Sequence, residues 1–289
     1  MEKTEQFDKL GTTSSSPSKS SSKIMTKHFR ITFFVLLTLV LPSCQAIPIA
    51  TNTPTPMSTP LLAEIRDSKG VTMRLVPAGD FIMGSDNGTD KEKPAHTLTL
   101  PDYYMDIYEV TRIRFQECVI AGACSEVKNV ANIDSFYREP NFPMSAVDWG
   151  MATTYCEWRD ARLPSEAEWE KAARGTDGRT YPWGEEYDPT YVQIGPGGPN
   201  NVGMYEKGKS PYGMYDMAGS VWEWTSDPLT VYLGNQGDHS YYRETDRVLR
   251  GGSWDHPDRT ALSTWFRFAS FTGDTSGYTG FRCARDATP

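Results

Sequence analysis

Cysteine is scarce in this chain: five residues among 289. That is too few for a scaffold in which disulfides replace a core, and enough for one modified thiol plus two bridges. Histidine is scarcer, with four residues; His96 and His239 have no ligand partners near them in sequence. Basic charge is also short. Lys and Arg number 29 against 37 Asp and Glu, a net charge of −8 with a pI near 5.1, which argues against a nucleic-acid partner, since that normally needs a basic face. The longest apolar run, residues 31–41, is about half of the ~20 residues that a membrane-spanning helix needs. No internal repeat is present.

What is abundant is aromatic and turn-forming. Aromatic residues make up 12% of the chain, and there are 24 Gly and 20 Pro. Such rings fill the core of a helix-poor fold or line a binding surface, and the glycines and prolines imply many turns.

The N-terminus reads as an address. Residues 1–24 are polar and rich in Ser and Lys, and Met25 makes a better start. Lys27, His28 and Arg30 precede the short apolar run, the pattern of a secretory signal over 25–44. It ends in Leu41-Pro42-Ser43-Cys44. This end is similar to a bacterial lipoprotein signal, which implies lipidation at Cys44 and membrane attachment; the alternative is an ordinary signal cleaved near Ala46. Either reading takes the protein out of the cytoplasm. Residues 45–65 include a Thr/Pro-rich stretch that favours extended conformers and reads as a tether. The folded domain is assigned to 66–287.

Within it, Val71–Val76 and Phe81–Met83 flank a Pro-Ala-Gly-Asp turn, a strand–turn–strand pattern. Thr97–Leu100 is another strand. Thr111 caps a helix that ends before Gly122, and Asp148 caps a second through Trp158. Ser165 and Glu168 form a capping box for a third helix, closed by Gly175. Short strands are expected at Val221–Trp224, Val248–Gly251 and Thr264–Ala269. The fold class is an irregular, loop-rich α+β domain.

Seven segments in order resemble the sulfatase-modifying-factor family of formylglycine-generating enzymes. They are Val76-Pro77-Ala78-Gly79 with Met83-Gly84-Ser85, Asp106–Thr111, Arg162–Glu170, Tyr181-Pro182-Trp183-Gly184, Gly213–Trp224, Arg250-Gly251-Gly252-Ser253-Trp254, and Gly280-Phe281-Arg282-Cys283-Ala284. The resemblance implies an elaborated C-type-lectin-like fold. It does not fix function, because the family holds copper-dependent oxidases alongside siderophore-maturation and lectin-like binding proteins.

The oxidase chemistry needs two thiolates for soft Cu(I). By resemblance they follow the Gly-Gly-Ser segment, yet residues 254–263 contain no Cys. His256 and Ala261 stand where the pair is expected, so copper is not expected as cofactor. Ser253 matches the family's pocket serine. Ser253, Trp254, His256, Arg259 and Arg267 are the candidate ligand pocket, since aromatics with Arg suit peptide or glycan binding. His256 with Asp255 and Asp258 reads as a turn around Pro257 or, in the alternative, as a Zn or Fe site.

The resemblance further implies a structural Ca²⁺ bound by Asp216, the carbonyls of Gly219 and Val221, and Glu223, an oxygen-rich set suited to a hard cation. It implies a bridge between Cys156 and Cys283. Cys118 and Cys124, close in sequence at a helix end, are read as a second bridge. The functional expectation is a non-catalytic module at the cell surface that binds a peptide, glycan or protein. The alternative is a metal-dependent oxidoreductase with altered chemistry.

Overall fold

The computed structural model describes residues 61–127, 139–237, 242–256 and 258–287. The signal, Cys44, most of the tether and His239 lie outside the described residues. Among the described residues no helix is long and apolar enough to cross a membrane.

Among the described residues, ten short strands and three α-helices follow one another along the chain. Strands β1 (Glu64–Arg66), β2 (Thr72–Val76), β5 (Tyr103–Asp106) and β10 (Ala284–Asp286) form an antiparallel sheet in the order β1-β2-β5-β10. The last strand therefore closes onto the first part of the fold. Strands β3 (Gly79–Met83) and β4 (His96–Leu100) form a separate hairpin. The third sheet is β8-β7-β6-β9, built from Phe268–Phe271, Asp246–Arg250, Trp222–Pro228 and Thr279–Gly280, with β6 and β9 parallel. β1 begins inside the stretch read as tether, so the fold starts earlier than residue 66.

The three expected helices are present, and their caps explain where they begin. Helix α1 is Arg112–Ile120 behind Thr111, whose side chain makes no capping bond. Helix α2 is Trp149–Trp158, and Asp148 accepts from Met151 N at 2.7 Å. Helix α3 is Glu166–Arg174 with a complete capping box: Glu168 N donates to Ser165 Oγ, and Ser165 N donates to Glu168 Oε2. Each such cap is worth about 1 kcal/mol.

Helix α3 is buried on nearly every side, including its charged residues. This is tolerable because each charge has a partner. Glu170 takes Arg174 at 2.7 Å and also Arg250, while Glu166 takes Arg267 at 2.6 Å. Lys171 Nζ donates to the carbonyls of Pro77 and Gly79, which ties the helix to the β2–β3 turn. Trp169 at the centre of α3 packs with Val76, Tyr103, Met105, Met214 and Met217. A second core joins α1 and α2 to Trp222, Trp224 and Phe281.

Both disulfides are present, Cys118–Cys124 and Cys156–Cys283. The second joins α2 to the approach to β10 across 127 residues of sequence. One strand differs from expectation: β8 is Phe268–Phe271, and Thr264–Arg267 before it is irregular. Thr264 spends its N–H and hydroxyl on the carbonyls of Thr180 and Arg179, and Arg267 turns into the interior, so neither joins a ladder.

Candidate functional site

The Gly-Gly-Ser segment leaves β7 through two residues with left-handed φ, Gly251 at 94° and Gly252 at 78°. A Cβ on Gly252 would lie 2.8 Å from Leu262 Cδ2 and 3.0 Å from the Ala261 carbonyl, so only glycine fits. The following turn is pinned by backbone bonds. Trp254 N donates to Ser220 O, Gly195 N to Trp254 O, and His256 N to Ser253 O. Ser253 ends up 1% exposed, and its Oγ has no hydrogen-bond partner. Leaving a buried hydroxyl unpaired costs about 1–3 kcal/mol, which marks this atom as one that a ligand or water can satisfy.

His256 is exposed and its ring meets Trp222 edge-on, with centroids 5.9 Å apart. Trp222 stacks on Phe268 at 5.1 Å and lies tilted against Phe266 at 6.0 Å. Ser253, Trp254, His256 and this aromatic floor are thus one neighbourhood. Ala261 is fully buried in the short 3-10 helix Arg259–Leu262. Arg259 lies farther along the same surface, its guanidinium 4.5 Å from the centroid of Tyr187.

Arg267 does not belong to this pocket. It is fully buried, its Nε and Nη2 bind the two oxygens of Glu166 at 2.6 and 2.7 Å, and Nη1 binds the carbonyls of Lys91 and Thr230. Its side chain is spent on α3 and on these two carbonyls, none of them in the Ser253 segment. The side chain of Asp258 accepts from Thr260 N and caps the short helix, and Asp255 is exposed. The His256 cluster is therefore a capped turn; among the described residues no three His, Cys, Asp or Glu side chains form a metal cluster.

The Asp216–Glu223 loop carries a second feature. Asp216 and Ser220 both adopt φ 57°, rare for residues with a side chain, and Gly219 packs so closely on Gln193 that a Cβ would come within 2.3 Å of its carbonyl. Glu109, which sequence reading missed, reaches into this loop. It accepts from Ser220 Oγ at 2.8 Å and from Val221 N at 3.2 Å. Its place in the Asp106–Thr111 motif was the available signal. Glu223 is fully buried and pairs with Arg282 through both oxygens at 2.7 Å, with Trp169 Nε1 adding a bond at 2.9 Å.

Three carboxylates thus share one guanidinium. Burial first, then Asp216 and Glu223, pushes the Glu109 carboxyl well above the usual range. Asp216 is pushed up to about 6, chiefly by burial, against the opposing pull of the Gly203 N–H and Arg282. A surplus of negative charge in a dry site fits a divalent cation. Asp216 Oδ1 accepts no hydrogen bond, and Glu223 Oε1 accepts only one, from Arg282. The expected ligand set is therefore compatible with Ca²⁺ in charge and in free lone pairs.

Comparison with known proteins agrees with the fold. Residues 60–287 match the model of the sulfatase-modifying factor enzyme 1-like domain. The chain is 31% identical to the inactive C-alpha-formylglycine-generating enzyme 2 of Bos taurus, over 78% of this chain and 91% of that one. It is also 31% identical to the formylglycine-generating enzyme of Mus musculus, over 74% and 75%. Among solved structures, PvdO from Pseudomonas aeruginosa superposes with a TM-score of 0.66 at 24% identity, covering 80% of this chain and all of that one. Treponema denticola variable protein 1 gives 0.59 at 22%, covering 75% and 95%. The chain belongs to the sulfatase-modifying factor enzyme 1-like domain family.

Proposed function

We propose that this protein is a non-catalytic member of its family, exported and tethered to the cell envelope through Cys44, which holds a peptide, glycan or protein in the pocket around Ser253. One observation carries the reading. Four of the five cysteines are locked in the two disulfides, and residues 254–263 hold none. No thiol pair remains to bind Cu(I) beside a substrate thiol. The existence of inactive relatives with similar sequence supports the same reading.

What remains at the site suits binding. Ser253 offers an unspent hydroxyl, Phe266 and Phe268 partly exposed rings beside the buried Trp222, and His256 and Arg259 exposed polar groups. Ca²⁺ held by Asp216, Gly219, Val221 and Glu223 would supply countercharge to the buried carboxylates and fix the loop from which Trp222 emerges.

The test is turnover. Purified protein, copper, oxygen and a Cys-type sulfatase peptide should yield no formylglycine by mass spectrometry, while the formylglycine-generating enzyme of Mus musculus converts the peptide in parallel. Copper-dependent aldehyde formation would overturn the non-catalytic reading.

A further inference from the structure

A cleft of about 440 Å³ opens on the opposite element set, between the β1–β2 turn, the Asp106–Thr111 segment and the start of α1. Neither Ser253 nor Trp222 nor His256 lines it. A second, shallower cleft beside β1 shares Arg66 and Thr72 with it. Their volumes, about 440 and 450 Å³, lie within the range of ligand sites.

Large apolar side chains are exposed at both clefts. Nine large apolar side chains are exposed on the described surface. Leu62 lines the shallow cleft, Tyr108 and Ile113 line the deep one, Met204 follows the Val202–Gly203 wall, and Ile120 lies two helical turns from Ile113. Three of the nine, Leu62, Tyr108 and Ile113, thus line the clefts, and clustering of this kind marks interaction surfaces. Tyr108 is also held in place. One face stacks on Tyr215 at 5.0 Å, and Gly203 sits where a Cβ would come within 2.5 Å of the ring. An aromatic side chain that is fixed and 40% exposed loses little entropy when a partner covers it.

Charge decides what the partner carries. Arg159 in the cleft floor is matched by Asp67 and Asp106, each at 2.7 Å. Arg114 at the rim is paired with Glu117 at 3.1 Å. Arg66, shared by both clefts, is exposed and has neither an ion pair nor a hydrogen bond from its side chain. Glu109 lines the deep cleft too, but it is 2% exposed and its oxygens take Ser220 Oγ and Val221 N, so among the described residues the exposed unmatched charge of the lining is Arg66. Among the described residues the outer edge of β1 has no partner strand, since β1 ends its sheet. An open edge accepts an extended chain.

We propose that the two clefts beside β1 bind an extended acidic peptide segment of a partner protein. Its backbone lies along the β1 edge, a carboxylate sits on Arg66, and an apolar side chain packs between Tyr108 and Ile113. The edge strand supplies main-chain hydrogen bonds and the clefts supply side-chain selection. A membrane surface fits less well, because anionic headgroups call for a cluster of cations where this surface has a single unmatched one.

The probes are fluorescein-labelled acetyl-Asp-Leu-Asp-Phe-Asp-amide and its counterpart with Lys for each Asp, titrated with the protein by fluorescence polarisation. The acidic peptide should bind at least tenfold more tightly than the basic one. Arg66→Glu should weaken it at least tenfold, Ile113→Asp should remove binding, and Ser253→Ala should leave it unchanged. Arg66 and Ile113 are exposed, so both variants should melt with the wild type. Equal binding of the two peptides, or binding indifferent to Arg66→Glu, overturns the proposal. So does a wild-type dimer that Ile113→Asp dissociates, which would assign this face to a second copy of the chain.

Discussion

Buried charge is the dominant feature at the scale of single residues. Arg159, Arg250, Arg267 and Arg282 are each fully buried, and each faces carboxylates. The imbalance is largest around Asp216, where Glu109, Asp216 and Glu223 face Arg282 alone. The consequence for stability has a definite sign. Asp216 titrates near 3.8 when free and near 6 when folded, so the folded chain holds the proton more tightly. In metal-free protein the stability linked to its protonation is full below about pH 4 and is lost as pH rises through about 6. Glu109 is shifted in the same direction. A bound Ca²⁺ offsets this loss by supplying the missing positive charge. At a hundredfold excess over Kd it adds about 2.7 kcal/mol, roughly 5–10 °C of Tm for a domain of this size. Differential scanning calorimetry with and without EGTA should therefore show a drop of that order at pH 7.5 and a smaller one at pH 5. Asp216→Ala should abolish the EGTA-dependent part. Superimposable curves at pH 7.5 would remove Ca²⁺ from this loop.

Elements that announce themselves in sequence are those with a local cause. Asp148, Ser165 with Glu168, and Gly175 bound α2 and α3 by capping chemistry that acts within a few residues, and those helices lie where the caps place them. Ser253 and His256 are named from the family resemblance of the Gly-Gly-Ser segment, and the Gly251–Gly252 turn leads into the short stretch that carries both. Strands β1, β5, β9 and β10 were not legible, because each is only two to four residues long and exists through pairing with distant chain. Arg267 was misplaced for the same reason: an Arg among aromatics reads as surface until Glu166, 101 residues away, is seen to claim it. Glu109 is the converse, a residue in a recognisable motif whose task depends on a loop 111 residues later. The Cys156–Cys283 bridge spans a comparable distance and restrains α2 against the last strand. Closing a loop of 127 residues contributes about 4–5 kcal/mol on the chain-entropy model. Cys156→Ala with Cys283→Ala should lower stability to urea by that order while the m-value changes with the more expanded unfolded state. Alkylation without reductant should label none of Cys118, Cys124, Cys156 and Cys283, and labelling of Cys156 in the native protein would contradict the pairing.

At the scale of the whole molecule, two cysteine questions bear on function, one about location and one about chemistry. If residues 25–44 act as the proposed lipoprotein signal, a lipid at Cys44 should carry the protein into the detergent phase on Triton X-114 partition. Cys44→Ser should move it to the aqueous phase; a wild-type protein that is wholly aqueous and begins after Ala46 would leave simple secretion. The question of chemistry turns on His256 and Ala261. If the scaffold around Ser253 and Trp222 retains the geometry of the family's oxidases, the missing element is sulfur alone. His256 is exposed beside Trp222, and Ala261 is buried in the short helix that packs against Gly252. The double variant His256→Cys/Ala261→Cys supplies two thiols five positions apart, near Ser253. Enlarging Ala261 in a filled site costs about 1–3 kcal/mol, which a domain stabilised by two disulfides can absorb. The double variant should retain about one equivalent of Cu(I) against bathocuproine, a competitor that strips weak sites, while the wild type and either single variant retain little. Two thiolates bind Cu(I) strongly where one thiolate or an imidazole does not, so the contrast between double and single variants isolates the pair. Copper retained equally by the wild type would show that another ligand set in this chain already does that work, and the non-catalytic reading would fall with it.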